Sequence, residues 1–236
     1  MMAMAGDASL AAILGLGFLL GLQHATDADH LAAVSTLASR HRSVGRAALL
    51  GGFWGAGHTL ALLAAGVVTV ALRLTISPPV ARTLEGLVGV MLVALGGQVV
   101  MQAFGAIAVH RHEHAHGRDN RHDHPHVHLG APSAHEHGHL LRMGTRPFLV
   151  GLLHGLAGSA ALTLLVVSTV SSPLGGLLYI IVFGAGSTAG MLVLSGLIGL
   201  PFVLTSRHAA TLHRLLRLAA GAASLGLGVW LVGELL

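Results

Sequence analysis

The stretch Gly21-Leu22-Gln23-His24-Ala25-Thr26-Asp27-Ala28-Asp29-His30-Leu31 sets two imidazoles and two carboxylates inside a run that is otherwise apolar from about Ala8 to Ala38. A central Asp costs about 2.5 to 3.5 kcal/mol on bilayer insertion scales. The cluster therefore needs a partner or an ion. At about 100° per residue, His24, Asp27 and His30 share one stripe of a helix while Asp29 points away from it. A regular helix cannot aim all four at one point. Either Asp29 contacts a neighbouring helix or the helix is locally opened.

The rest of the chain supports a bilayer setting. Of 236 residues, 53% are hydrophobic and 9% charged, where soluble domains carry roughly a quarter charged residues. Six segments are long and apolar enough to span: Ala8 to Ala38, Ala47 to Leu72, Leu84 to Val109, Phe148 to Val170, Leu174 to Leu204 and Leu215 to Leu236. With no sheet signal, backbone groups in lipid are satisfied only as helices. The expected fold is an all-α integral membrane protein with six transmembrane helices. The first apolar run lacks a basic leader and is too long for a signal core, so it is expected to be retained.

The absence of cysteine excludes disulfides, thiolate metal sites and thiol nucleophiles. All thirteen basic residues are arginine, and they mark topology rather than a nucleic-acid surface. Arg40, Arg42, Arg46, Arg111, Arg118, Arg121, Arg142, Arg146, Arg207, Arg214 and Arg217 fall in odd loops, against Arg73 and Arg82 in even ones. Positive charge gathers on the cytoplasmic side. This predicts a multi-pass protein of the bacterial inner membrane with both termini outside.

An internal repeat underlies the six spans. Gly21-Leu22-Gln23-His24 resembles Gly151-Leu152-Leu153-His154 at an offset of 130, and Phe53 to Thr59 resembles Val182 to Thr188 at 129. Each copy holds three spans, so the second enters from the opposite face, as in the inverted repeats of secondary transporters. The expected organisation is a first three-helix repeat (1–109), a His-rich cytoplasmic loop (110–146) and a second three-helix repeat (147–236). The match does not extend convincingly to the third and sixth helices.

His58 and His154 each lie near the middle of a span, flanked by Gly55, Gly57, Gly155 and Gly158, which permit close helix approach. Ser187 and Thr188 stand where His58 and Thr59 stand in the first copy. Imidazole and carboxylate without thiolate suit nickel, cobalt and zinc, and disfavour copper(I), calcium and magnesium. Interhelical glue and a proton relay are the competing readings of such groups.

The helix 1 segment resembles the His-x4-Asp-His signature of the nickel/cobalt transporter (NiCoT) family, with His24, Asp27, Asp29, His30 and Leu31 in order. Phe53 to Thr59 resembles that family's second, Gly-His-Ser/Thr signature. Gln23 stands where the family commonly has arginine, and Gly184 to Gly190 echo a later signature without its acids. The resemblance implies a metal role for His24, Asp27, Asp29 and His30 and a place on the metal path for His58; His154 joins them through the repeat. It also implies Ni2+ or Co2+ as transported substrate, with no cofactor and no catalytic residue.

Residues 110 to 139 hold eleven histidines among polar residues, a compositional metal-binding tract expected to be disordered without metal. The expected partners are a divalent metal ion and the lipid bilayer, with no nucleic acid; a homo-oligomer is compatible with the sequence. Uptake is the expected direction. The alternatives are efflux, with the His-rich loop collecting cytoplasmic metal, and a non-transporting accessory protein that donates metal. No paired nucleophile and base suggests an enzyme.

Overall fold

The structure, a computed structural model, describes residues 2–41, 43–72, 77–104, 109–116, 120–127, 141–169 and 172–235. Seven helices run in the order α1 (Met2–His24), α2 (Ala28–Ala38), α3 (Val44–Leu72), α4 (Pro78–Ala103), α5 (Leu141–Thr169), α6 (Pro173–His208) and α7 (Ala210–Gly233). Between α4 and α5 the backbone of β1 (Val109–His116) and β2 (Asn120–Val127) pairs antiparallel.

Among the described residues, four helices are long and apolar enough to cross a membrane: Val44–Thr69, Pro78–Ala103, Pro173–Ser206 and Ala210–Gly233; Ala11–His24 is a shorter apolar helix. Large apolar side chains such as Leu19, Leu60, Leu87, Leu153 and Leu197 are exposed on the outside of the bundle. An apolar exterior of this kind suits acyl chains rather than water.

Three expectations need correction. The first span is not one helix from Ala8 to Ala38 but two, broken between His24 and Ala28. The third ends at Ala103, six residues before Val109, where β1 begins. The His-rich loop was expected to lack regular structure, yet its backbone forms a hairpin with Val109 opposite Val127 and His112 opposite His124. Residues 117–119 and 128–140 of this loop lie outside the described residues.

Helix starts follow local chemistry. Ser77 and Ser172 are extended N-caps, each followed by proline in the first turn of α4 or α6, where the missing N–H is no loss and φ is already helical. Ser172 Oγ also accepts from Gly175 N at 3.4 Å.

The bundle is built on helix pairs that touch through small residues. α3 crosses α6 at Thr59, whose Oγ1 donates to the Gly184 carbonyl at 2.9 Å and lies 3.0 Å from Thr188 Oγ1. α4 lies against α7, where Ser224 Oγ donates to the Leu92 carbonyl at 2.9 Å. A Cβ on Gly89 would meet the Gly228 carbonyl at 2.8 Å, and one on Gly228 would meet the Gly89 carbonyl at 2.6 Å. Without a hydrophobic drive in lipid, such close backbone packing is what holds helices together. α1 lies against α6 and α5 against α3, while α2 reaches across to α4, α6 and α7. The buried side chains of Trp54, Met191, Leu92 and Val34 fill the centre.

Candidate metal centre

The break in the first span creates the site. At the end of α1 the backbone tightens, Thr26 N bonding Gln23 O at 2.8 Å and Asp27 N bonding His24 O at 3.1 Å. Thr26 Oγ1 also donates to Gln23 O at 2.6 Å, so orphan carbonyls at this helix end find partners. Asp27 is then extended, with φ −60° and ψ 149°, and stands as N-cap of α2 without a side-chain capping bond. Its carboxylate is used elsewhere: Oδ2 accepts from His24 Nδ1 at 2.7 Å.

Asp29, in the first turn of α2, accepts from the backbone N–H of His30 and from His30 Nδ1, both at 2.8 Å through Oδ1. Its other oxygen accepts from His154 Nε2 on α5 at 2.9 Å. Both routes considered for Asp29 therefore occur together: the helix opens, and the carboxylate contacts a neighbouring helix. Two carboxylates at the start of α2 face the positive end of its dipole, while His24 lies at the negative end of α1.

His58 on α3 completes the cluster, its Nε2 3.2 Å from His24 Nε2. Four imidazoles gather here: the His30 ring centroid lies 4.5 Å from that of His24, 5.2 Å from His58 and 4.2 Å from His154. Trp54 covers the inner side, 5.1 Å from His30 and 5.4 Å from His154, and Phe183 lies 5.4 Å from His24. Both aromatics lie within the repeated stretches Phe53 to Thr59 and Val182 to Thr188, but neither was expected at the site.

Two triads bring ligand atoms within 4.8 Å of one another: His24, His30 and His58, and Asp29, His30 and His154. Five of the six residues expected at the site thus converge. Asp27 belongs to neither triad and touches the cluster through His24.

The carboxylates fix which ring nitrogens are free. Because Asp27 accepts the Nδ1 hydrogen of His24 and Asp29 that of His30, each ring keeps an Nε2 lone pair, which in His24 faces His58 Nε2 at 3.2 Å. His30 Nε2, His58 Nδ1, His154 Nδ1 and Ser187 Oγ are buried with no hydrogen-bond partner among the described residues. Such unpaired atoms are costly in a low-dielectric interior. The site is also open on one side: His30, His58 and His154 are buried, yet the His24 side chain is 22% exposed and that of Asp27 51%.

Comparison with known proteins agrees with this chemistry. Residues 10–226 match the family model NicO, described as high-affinity nickel-transport protein. Over 212 residues the chain is 41% identical to the urease accessory protein UreH of Bacillus sp. (strain TB-90), covering 84% of this chain and 81% of that relative. No solved structure matches. The likeness carried by His24 to Leu31 and by Phe53 to Thr59 thus extends over most of the molecule, and the chain belongs to the NicO family of high-affinity nickel-transport proteins.

Proposed function

We propose that this chain takes up divalent nickel, with cobalt as a second substrate, across the bacterial inner membrane, and that its termini face outward. The ion is held by Nε2 of His24, His30 and His58, with Asp27 and Asp29 orienting the first two rings and His154 joining through Asp29. The observation that carries this reading is the 3.2 Å between His24 Nε2 and His58 Nε2. Two imidazoles on one ion, with bonds of about 2.0 to 2.1 Å, place their nitrogens roughly 3.0 to 3.4 Å apart. Without an ion, a hydrogen on His58 Nε2 bridges the pair. An ion takes its place, and the hydrogen moves to the partnerless His58 Nδ1.

Exposed Gln23, Thr26 and Asp27 offer a hydrated cation its first contacts on one side of the site. Movement to the other side follows from two inverted three-helix repeats, 1–109 and 147–236, rocking about the centre. Paired contacts support the repeat. A Cβ on Gly21 would strike the Phe183 carbonyl, and one on Gly151 would strike that of Trp54; each contact is the other's image at offsets of 130 and 129. Gly57 against the Phe148 carbonyl and Gly186 against that of Phe18 form a second such pair. The match extends to the third helices at an offset of 132, which exchanges the Gly89–Gly228 contact with that of Gly96 and Gly221.

An inside-negative potential favours cation influx by about 2.3 kcal/mol per charge per 100 mV, so a divalent ion gains about twice that. The His-rich loop, on the cytoplasmic side, buffers arriving ions. Radioactive nickel flux into proteoliposomes of known orientation tests the reading, comparing the parent with His24→Ala and Asp29→Asn. Equal flux in all three would remove the site assignment.

The name of the Bacillus relative favours a second reading, in which the chain hands nickel to an enzyme-maturation partner without moving it. Deleting residues 110–139 separates the two. A permease still moves nickel after the deletion, whereas a donor that works through the loop loses its function.

A further inference from the structure

Away from the histidines, Arg40 and Arg217 lie at one end of the bundle with no acid bonded to them among the described residues. Arg40, two residues beyond α2, donates Nη2–H to Gln98 Oε1 at 2.9 Å, and Arg217 in α7 donates Nη2–H to Gln102 Oε1 at 3.1 Å. Gln98 and Gln102 are one turn apart on α4, a rise of about 6 Å. The two guanidiniums are thus fixed side by side by neutral amides. The Nε atoms of both are buried and unpartnered among the described residues. Burial first, and then the charges of Arg217 and Arg146, bring the Arg40 guanidinium down to about 10.

No carboxylate with a described side chain is placed to answer them. Glu85 lies thirteen residues before Gln98 on α4, about 20 Å along the axis, and Glu234 lies beyond the far end of α7, about 25 Å from Arg217. Asp29 is occupied by two histidines and begins α2 about 16 Å from Arg40. The carbonyl ends of α2 and α4 supply partial negative charge only. Half-buried guanidiniums fixed side by side by amides, each with a buried N–H that has no partner among the described residues, suit a planar or tetrahedral oxyanion.

We infer that Arg40 and Arg217, positioned by Gln98 and Gln102, bind a phosphate group at the headgroup level of the arginine-rich face. The group comes from an anionic phospholipid or from free phosphate. Basic pockets between spans on that side of a membrane commonly take phospholipid headgroups. The site is independent of the metal centre and survives if that assignment fails.

Native mass spectrometry of the full chain in detergent reads the binding directly, with phosphatidylglycerol and phosphatidylcholine as probes. The parent retains phosphatidylglycerol at least about fivefold better, and Arg40→Gln and Arg217→Gln each cut that retention about fivefold. Equal retention of the two lipids by the parent, or unchanged phosphatidylglycerol retention in both variants, overturns the inference. Should Arg40→Gln fail to fold, the more peripheral Arg217→Gln carries the comparison. Displacement of the lipid by millimolar inorganic phosphate assigns the site to free phosphate, and persistence assigns it to the headgroup; either supports a phosphate site. Deleting residues 110–139 leaves retention unchanged. A severalfold rise would mean that the acids of that loop fill the cluster, and would overturn it too.

Discussion

The carboxylate of Asp29 joins two spans: Oδ1 accepts from His30 Nδ1 on α2 at 2.8 Å, and Oδ2 accepts from His154 Nε2 on α5 at 2.9 Å. One side chain therefore sets the tautomer of two rings and ties the proposed repeats together at the cluster. Carboxylates that hold metal-binding histidines in this way orient the ring and raise its basicity. Asp29 also satisfies the backbone N–H of His30 in the first turn of α2, where a helix has no internal acceptor to offer.

Replacing Asp29 by Asn leaves shape nearly unchanged but removes the charge and presents an amide where two imidazoles donate. One of the two hydrogen bonds must then fail or reverse. Nickel affinity of the purified protein, titrated by calorimetry, is expected to fall about 10- to 100-fold. An unchanged affinity would show that the carboxylate does not govern the site.

Much of this centre was legible because lipid makes polarity conspicuous. His24, Asp27, Asp29 and His30 could not be ordinary surface groups in an apolar run, and helical arithmetic already required a break or a neighbour for Asp29. His154 was found through its offset from His24. What Asp27 does was not legible, since a carboxylate one turn from a histidine can face the ion or the ring, and only the backbone at the break decides. Under the proposed repeat, the third helices show no correspondence in sequence because Gly89, Gly96, Gly221 and Gly228 are separated by interchangeable apolar residues. In the loop, histidines at every second position from His110 to His116 carry a strand period that the tract's polar, low-complexity composition obscures.

The close approach of α5 to α3 depends on Gly151, where a Cβ would collide with the Trp54 carbonyl. Gly151→Val should cost about 1 to 3 kcal/mol, as overpacking does in a filled interior, and should lower the melting temperature in detergent. Gly226 has nothing within 4 Å of its would-be Cβ, so Gly226→Ala is expected to change stability by no more than about 0.5 kcal/mol in the unfavourable direction. Equal losses in both variants would deny Gly151 its special position.

His41, in the turn between α2 and α3, is held below the ordinary imidazole range by burial and then by the charges of Arg46 and Arg40. The folded state therefore binds this proton less readily than the unfolded chain. Its contribution to stability is present above about pH 6.5 and is lost as pH falls below that value toward the folded pKa. The melting temperature of the parent should drop more steeply between about pH 7 and 5 than that of His41→Gln. Parallel curves would mean that His41 titrates alike in both states.

Direct ligands and orienting carboxylates differ in what they remove from a bound ion. His24→Gln, His30→Gln and His58→Gln should each take one nitrogen from nickel, while Asp27→Asn, Asp29→Asn and His154→Gln should leave three nitrogens in place and weaken binding less. Nickel X-ray absorption on the loaded protein counts these neighbours, because imidazole scattering differs from that of water and carboxylate oxygen. The Asp27→Asn result bears most on the geometry: its carboxylate is half exposed and, among the described residues, bonds His24 Nδ1 alone, so its loss frees the His24 ring to turn without withdrawing a ligand atom. A fall in the oxygen count in Asp27→Asn or Asp29→Asn would instead put that carboxylate on the ion itself, and the 3.2 Å between His24 Nε2 and His58 Nε2 would then be a hydrogen bond between rings rather than two corners of a coordination shell.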